Sequence, residues 1–311
     1  MDVVVTGIGL VSALGNLETS WKRLLANESG IERSQPFSDL LSQPLALIGE
    51  QPTDLEFVAQ QVVFDAIQDA GLSLPLTDCA VVVGSSRGNQ AKWEKLTQSK
   101  LPLATWLNTL PDTAAIHTAR LIGTSASVRS PMAACATGIW AIAQAFTLVQ
   151  SGEYQRVIAG AIEAPITPLT LTGFKQMGAL ADTGAYPFDR DREGLVLGEG
   201  GAVFVLESSE IAKQRSAKVY GIISGFGLTA DGYHVSAPEP GSLAAIAAVK
   251  QCLQQSHLAA KDIGYIHAHG TATQLNDANE ANLINYLFPT GVAVSSTKGA
   301  TGHTLGSSGA L

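Results

Sequence analysis

The 311-residue chain is 46% hydrophobic and 15% charged, and 19 Lys and Arg against 27 Asp and Glu give a net charge of −8. That hydrophobicity excludes a disordered chain, and an acidic balance without clustered basic residues argues against nucleic acid as the main partner. The three cysteines, at 79, 135 and 252, form no CxxC pair and no zinc spacing, which sets aside a disulfide framework.

In chain order, Val3-Val4-Val5 reads as a buried strand entering a tight turn at Thr6-Gly7-Ile8-Gly9. A helix is predicted from Asn16 to Ala26, with Trp21, Leu24 and Leu25 on its apolar side. The next helix carries a capping box from Thr53 and Glu56, turns Phe57, Val58, Phe64 and Ile67 inward, and stops at Gly71. Ala80–Gly84 is a wholly apolar strand of the kind buried in parallel sheets. Thr113–Leu121 is predicted helical and Val128–Met132 extended, with Pro131 favouring a sheet edge. Ala136–Gln150 is a strong helix with Ile139, Ile142, Phe146 and Val149 on one stripe, followed by a strand at Val157–Gly160. Pro165–Asp191 reads as a surface loop, Ala202–Leu206 as a strand and Glu210–Arg215 as a short helix.

The order then repeats. Strands are predicted at Val219–Leu228, Ile263–Ile266 and Val292–Val294, and helices at Leu243–Leu253, Asp277–Leu287 and after Gly302. Alternating strands and helices in both parts imply an α/β fold of mixed sheets covered by helices, with a weak internal duplication. No apolar run reaches the ~18 residues of a membrane span. Met1-Asp2 makes a poor signal peptide, so a soluble cytoplasmic protein is expected.

Cys135 falls at a strand-to-helix junction among small residues, where helix amides and the positive dipole end would lower a thiol pKa. On position alone the commoner reading is a buried, inert thiol, as for Cys79 and Cys252. His269 follows a strand, in a loop of the kind that carries catalytic groups in α/β proteins. With His267 it makes a His-x-His pair, but no third ligand is evident for a metal. Lys298 and His303 lie five apart around glycines, in a stretch that lacks the phosphate-loop spacing.

Together these segments resemble the elongating β-ketoacyl-acyl carrier protein synthases of the thiolase-like superfamily. The resemblance runs through Val3 to Gly9, Thr19 to Ile31, Ala134-Cys135-Ala136-Thr137-Gly138, Tyr186 to Gly200, His269 to Glu280 and Ser296 to Gly306. It implies a thiolase-like fold of two duplicated halves, residues 1–216 and 217–311, the second incomplete. It also implies condensation of malonyl-acyl carrier protein with an acyl chain on Cys135, in fatty-acid or polyketide synthesis. His269 and His303 would stabilise the enolate formed on decarboxylation, Lys298 would organise the site, and Thr271 and Thr273 would hold the pantetheine arm. No metal or diffusible cofactor is implied; acyl carrier protein and a second copy of the chain are the implied partners.

A catalytically silent partner subunit is the alternative, but such subunits usually lack the cysteine. The chain-initiating and thiolase branches use other triads. Two departures stand out: Ala185 replaces a common Arg, and the short stretch between Ile31 and Thr53 shows no basic carrier-docking helix. The family pattern continues past Leu311 with a glutamate and later a Gly-Phe-Gly-Gly-x-Asn loop. The chain is therefore expected to be a truncated synthase, unstable or inactive alone.

Overall fold

The computed structural model describes residues 2–98, 100 and 102–311. Strands are β1 (Val3–Ser12), β2 (Gly15–Asn16), β3 (Glu32–Ser34), β4 (Gln43–Leu45), β5 (Ala80–Gly84), β6 (Val128–Arg129), β7 (Arg156–Glu163), β8 (Gly200–Ser208), β9 (Gly221–Ile223), β10 (Tyr265–His267) and β11 (Ala293–Ser295). Helices are α1 (Leu17–Leu25), α2 (Leu55–Asp69), α3 (Gln90–Thr97), α4 (Thr113–Ile122), α5 (Thr137–Gln150), α6 (Pro168–Gln176), α7 (Ser209–Gln214), α8 (Leu243–Gln255), α9 (Gln274–Leu287) and the single turn α10 (Lys298–Thr301).

One mixed sheet runs β2-β1-β8-β7-β5-β6, with β9 also paired to β1. The central strands are buried on both faces, and their side chains divide by the two-residue period of a strand. Val81, Val83, Ile158, Ile162, Val203 and Val205 pack with α2 and α4. Ala80, Val82, Val157, Ala159 and Leu206 pack with Ala141, Ala145, Phe146 and Val149 of α5 on the other side. Helices on both faces of a mixed sheet give the α/β class expected from the alternation of elements. In the second part, β10 and β11 form a separate parallel pair.

Several local expectations are corrected. Thr6-Gly7-Ile8-Gly9 is no turn: β1 continues to Ser12, with a register shift between Val5 and Gly7. The glycines stand there because α2 lies directly on the strand; a Cβ on Gly7 would sit 2.4 Å from the Ala66 carbonyl oxygen, and one on Gly9 1.8 Å from that of Val62. The cap of α2 is Asp54, whose carboxylate accepts the Phe57 N–H at 2.8 Å. The Thr53 N–H is instead held by Glu199, and Glu56 by Asn89 and Lys92.

Trp21, Leu25 and Phe57 are exposed, so α1 and α2 present narrower apolar faces than their sequences suggest. The 165–191 stretch contains α6, begun by Pro168 in its first turn and capped by Thr167. Only residues 221–223 of the predicted 219–228 strand are extended, and they pair with β1 rather than opening a second sheet. After Gly302 there is a 3₁₀ turn at Leu305–Ser307 instead of a helix.

Candidate active site

The chain reaches Cys135 through a sharp elbow after β6. Ala134 adopts φ +47°, a left-handed conformation that costs a residue with a Cβ about 1–2 kcal/mol. Thr137 locks it: its hydroxyl accepts the Ala133 N–H at 2.9 Å and donates to the Ala134 carbonyl at 2.7 Å. Cys135 thus projects from a 3₁₀ turn at the N-terminus of the 14-residue α5. The expected depression of its thiol pKa is not what burial produces. Burial pushes the Cys135 thiol up, and Lys298 is the chief group pulling it back. Cys79, wholly buried, is pushed up to about 12, which makes it an inert core thiol.

Cys135 Sγ and one ring nitrogen each of His269 and His303 lie within 4.8 Å of one another. The imidazoles meet edge to face at 5.4 Å between centroids. Burial, reinforced by the Lys298 charge, lowers the His269 pKa to about 3 and holds His303 well below its usual value. Both rings are therefore neutral near pH 7. For His303 the tautomer follows from its neighbours. Nδ1 accepts the Leu305 N–H at 3.2 Å and lies 2.9 Å from the Ser308 hydroxyl, so the ring proton sits on Nε2.

The backbone of His269 is gripped from two sides. Glu280 of α9 accepts the N–H groups of His269 and Gly270 at 2.7 and 2.8 Å, and the Lys298 ammonium donates to the His269 carbonyl at 2.6 Å. Lys298 is almost fully buried, and that burial lowers its pKa to about 8, which leaves it mainly charged near neutrality. Three donors such as Cys135, His269 and His303 also match the number a zinc site needs. The adjacent buried ammonium opposes a dication there.

His303 is set by its backbone, whose N–H donates to Val196 and whose carbonyl accepts from Gly198 at 3.0 Å. The glycine-rich 194–201 stretch, without a dinucleotide fingerprint in the sequence, is thus a rail for His303. Glu199 anchors that rail by accepting the Ile48 and Thr53 N–H groups at 3.0 Å each. The 186–193 segment ties to the loop after His269: the Phe188 N–H donates to Asp277 at 2.7 Å, and Arg192 donates to the Thr273 and Gln274 carbonyls.

A cavity of about 500 Å³ is lined by Cys135, Ile139, His267, His269, Lys298 and Ser308, among others. Ile139 leaves the buried stripe of α5 to face it. Four of the predicted residues, Cys135, His269, His303 and Lys298, are brought together. Thr271 and Thr273 are not on that lining; their hydroxyls pair at 2.8 Å, with Thr271 buried and Thr273 partly so. His267 lines the cavity but stands outside the Cys135–His269–His303 cluster, its Nε2 against Thr297. Sequence reasoning missed the supporting roles of Glu280 and Ser308. Glu280 lay in a quoted motif, and its place one α9 turn after Asn276 was the available signal; Ser308 carried none.

The family model for the β-ketoacyl synthase N-terminal domain matches residues 54–212, and that for the C-terminal domain matches residues 220–311. A 3-oxoacyl-[acyl-carrier-protein] synthase 2 from Staphylococcus aureus is 32% identical over 99% of this chain and 83% of its own. A β-ketoacyl synthase from Burkholderia phymatum superposes with TM-score 0.90 at 28% identity, over 100% of this chain and 84% of its own. A type II polyketide ketosynthase, solved with its acyl carrier protein and bound to a hexaketide, gives TM-score 0.92 at 26% identity, covering 99% and 83%. Both parts of one family thus match in order along the chain, and the layered mixed sheet is theirs too: this chain belongs to the β-ketoacyl synthase family.

Proposed function

We propose that the chain catalyses decarboxylative condensation of malonyl-acyl carrier protein with an acyl group held on Cys135. The observation that carries this reading is the convergence of the Cys135 sulfur and two neutral imidazoles within 4.8 Å. In the first step the Cys135 sulfur attacks the acyl-carrier thioester, and the pantetheine thiol leaves with the cysteine proton. Lys298 and the α5 N-terminus favour the developing thiolate against the cost of burial.

In the second step the malonyl C–COO⁻ bond breaks, CO₂ departs, and the electron pair moves into an enolate. Nε2–H of His303 and a ring N–H of His269 donate to the enolate oxygen, which neutral imidazoles can do without taking up a proton. The enolate carbon attacks the Cys135 thioester and expels the cysteine sulfur, leaving a 3-oxoacyl thioester two carbons longer. Lys298 acts through the His269 carbonyl as a positioning residue.

Thr271 and Thr273 are assigned to the pantetheine arm, and acyl carrier protein and a second copy of the chain to the partners. Residues 1–216 and 217–311 are read as the two halves. No helix among the described residues is long and apolar enough to cross a membrane, in keeping with a cytoplasmic placement. A catalytically silent role is not favoured, since the cysteine is in place. The test is incubation with acyl-acyl carrier protein and intact-mass analysis. Wild type should gain one acyl group and Cys135→Ala none; equal gain in both would rule out the nucleophile assignment.

A further inference from the structure

Cys135 borders a second cavity, of about 310 Å³, which shares no other lining residue with the first. Its walls are Met132, Ala134, Phe174 and Leu305, with Ser86 and Arg87. Arg87 also lines a neighbouring cavity of about 540 Å³ that holds Trp93 and Trp106. Its guanidinium lies 5.6 Å from the centre of the Phe174 ring, and among the described residues no hydrogen bond or ion pair engages it. The side chain therefore stands at the junction of two mainly apolar cavities with its donors free.

The loop that presents Arg87 is held rigidly. The Ser86 N–H and the Ser85 hydroxyl both donate to the fully buried Glu163 carboxylate, and the Ser85 oxygen accepts the Gly88 N–H at 2.9 Å. Gly88 has φ +56°, and a Cβ there would meet Pro111 at 3.0 Å. The backbone at Arg87 is thus fixed, and the side chain leaves it beside both cavities.

We propose that Arg87 selects acyl chains bearing oxygen acceptors, carbonyl or carboxylate, away from the thioester, over saturated hydrocarbon chains. The proposal rests on the reading of Cys135 as the acyl carrier. A saturated chain entering this cavity would strip water from the guanidinium and offer no acceptor in return. An oxygenated chain replaces that water with charge-assisted hydrogen bonds. The aromatic and aliphatic walls accept the intervening methylenes in either case.

The experiment compares acylation of Cys135 in the full chain by pantetheine thioesters of octanoate, 7-oxo-octanoate and suberate, read by intact-mass spectrometry. These eight-carbon probes differ only at the distal end. Wild type should react with at least one oxygenated probe about tenfold faster than with the octanoyl probe, the usual worth of a hydrogen bond to a charged group. Arg87→Leu should abolish that ratio, and Arg87→Lys should keep it for the suberyl probe. A gain confined to suberate identifies a carboxylate as the ligand; a gain shared with 7-oxo-octanoate identifies a carbonyl. Each ratio is internal to one protein, so altered folding of a variant does not mimic it. A wild-type preference for octanoyl, or a ratio unchanged in Arg87→Leu, overturns the selection by Arg87 while leaving the condensing site intact. Failure of every probe to acylate Cys135 overturns both.

Discussion

Removing the His303 imidazole should separate the two chemical steps. The ring's Nδ1 is committed to the Leu305 N–H and lies against the Ser308 hydroxyl, so its one free function is the Nε2–H, on a ring that clusters with Cys135 and His269. Loss of one preorganised donor at a developing oxyanion typically costs about 3–4 kcal/mol, or roughly 10²- to 10³-fold in rate. His303→Ala should lower malonyl-thioester decarboxylation by that factor while changing acyl transfer to Cys135 less than about tenfold, because that step does not use the enolate donors. His303→Gln restores a side-chain N–H near the position of Nε2 and should recover about tenfold of the loss.

Carbon dioxide release and intact-mass acylation read the two steps separately. The pH profile adds an independent check. A depressed histidine pKa keeps the neutral donor form above the folded-state value, so activity is lost only as pH falls toward about 3 for His269, and not through 6.5. Decarboxylation should therefore be flat from pH 7.5 to pH 5. Equal loss of both steps in His303→Ala, or a wild-type fall centred near pH 6.5, would refute the assignment of neutral donors.

Glu280→Ala frees the His269 and Gly270 N–H groups and should cut decarboxylation about tenfold with little effect on acylation, since two backbone positions lose their anchor; parallel loss of both steps would mark a general folding defect instead. Burial raises the pKa of Glu199 to about 7, so its stabilising protonated form is complete below the unfolded value of 4.5 and is lost as pH rises through 7. Glu199→Gln, whose carbonyl can accept the same N–H groups, should gain stability relative to wild type by about 1.4 kcal/mol per pH unit across that window; urea midpoints that differ equally at pH 5 and pH 7.5 would contradict this. Gly9→Ala drives a methyl into the Val62 carbonyl of α2 and should destabilise by about 3 kcal/mol or more, measurable as a lower urea midpoint at unchanged slope.

Much of this protein was legible in the sequence because its signals are local. Short β-branched apolar runs such as Ala80–Gly84 and Val157–Gly160 read as strands buried on both faces, and their alternation with helices pointed to an α/β layering. The ordered motifs around Cys135, His269 and His303 carried the family resemblance that the two matching family models bear out. What local pattern could not decide was which faces would be covered. Trp21 and Phe57 fit apolar stripes yet stay exposed, and Gly7 and Gly9 looked like a turn until α2 was found lying against them.

The electrostatics of the site were equally out of reach. A helix N-terminus beside Cys135 suggested a depressed thiol pKa, but desolvation depends on every surrounding group and prevails here. The same burial keeps both histidines neutral, and the Leu305 N–H on Nδ1 chooses the His303 tautomer. Composition, element order and the motifs that name the candidate residues belong to the sequence, because they depend on neighbours along the chain. Protonation state, the Glu280 and Lys298 grip on His269, and the junction at Arg87 belong to the tertiary structure, because they depend on residues brought together from distant parts of it.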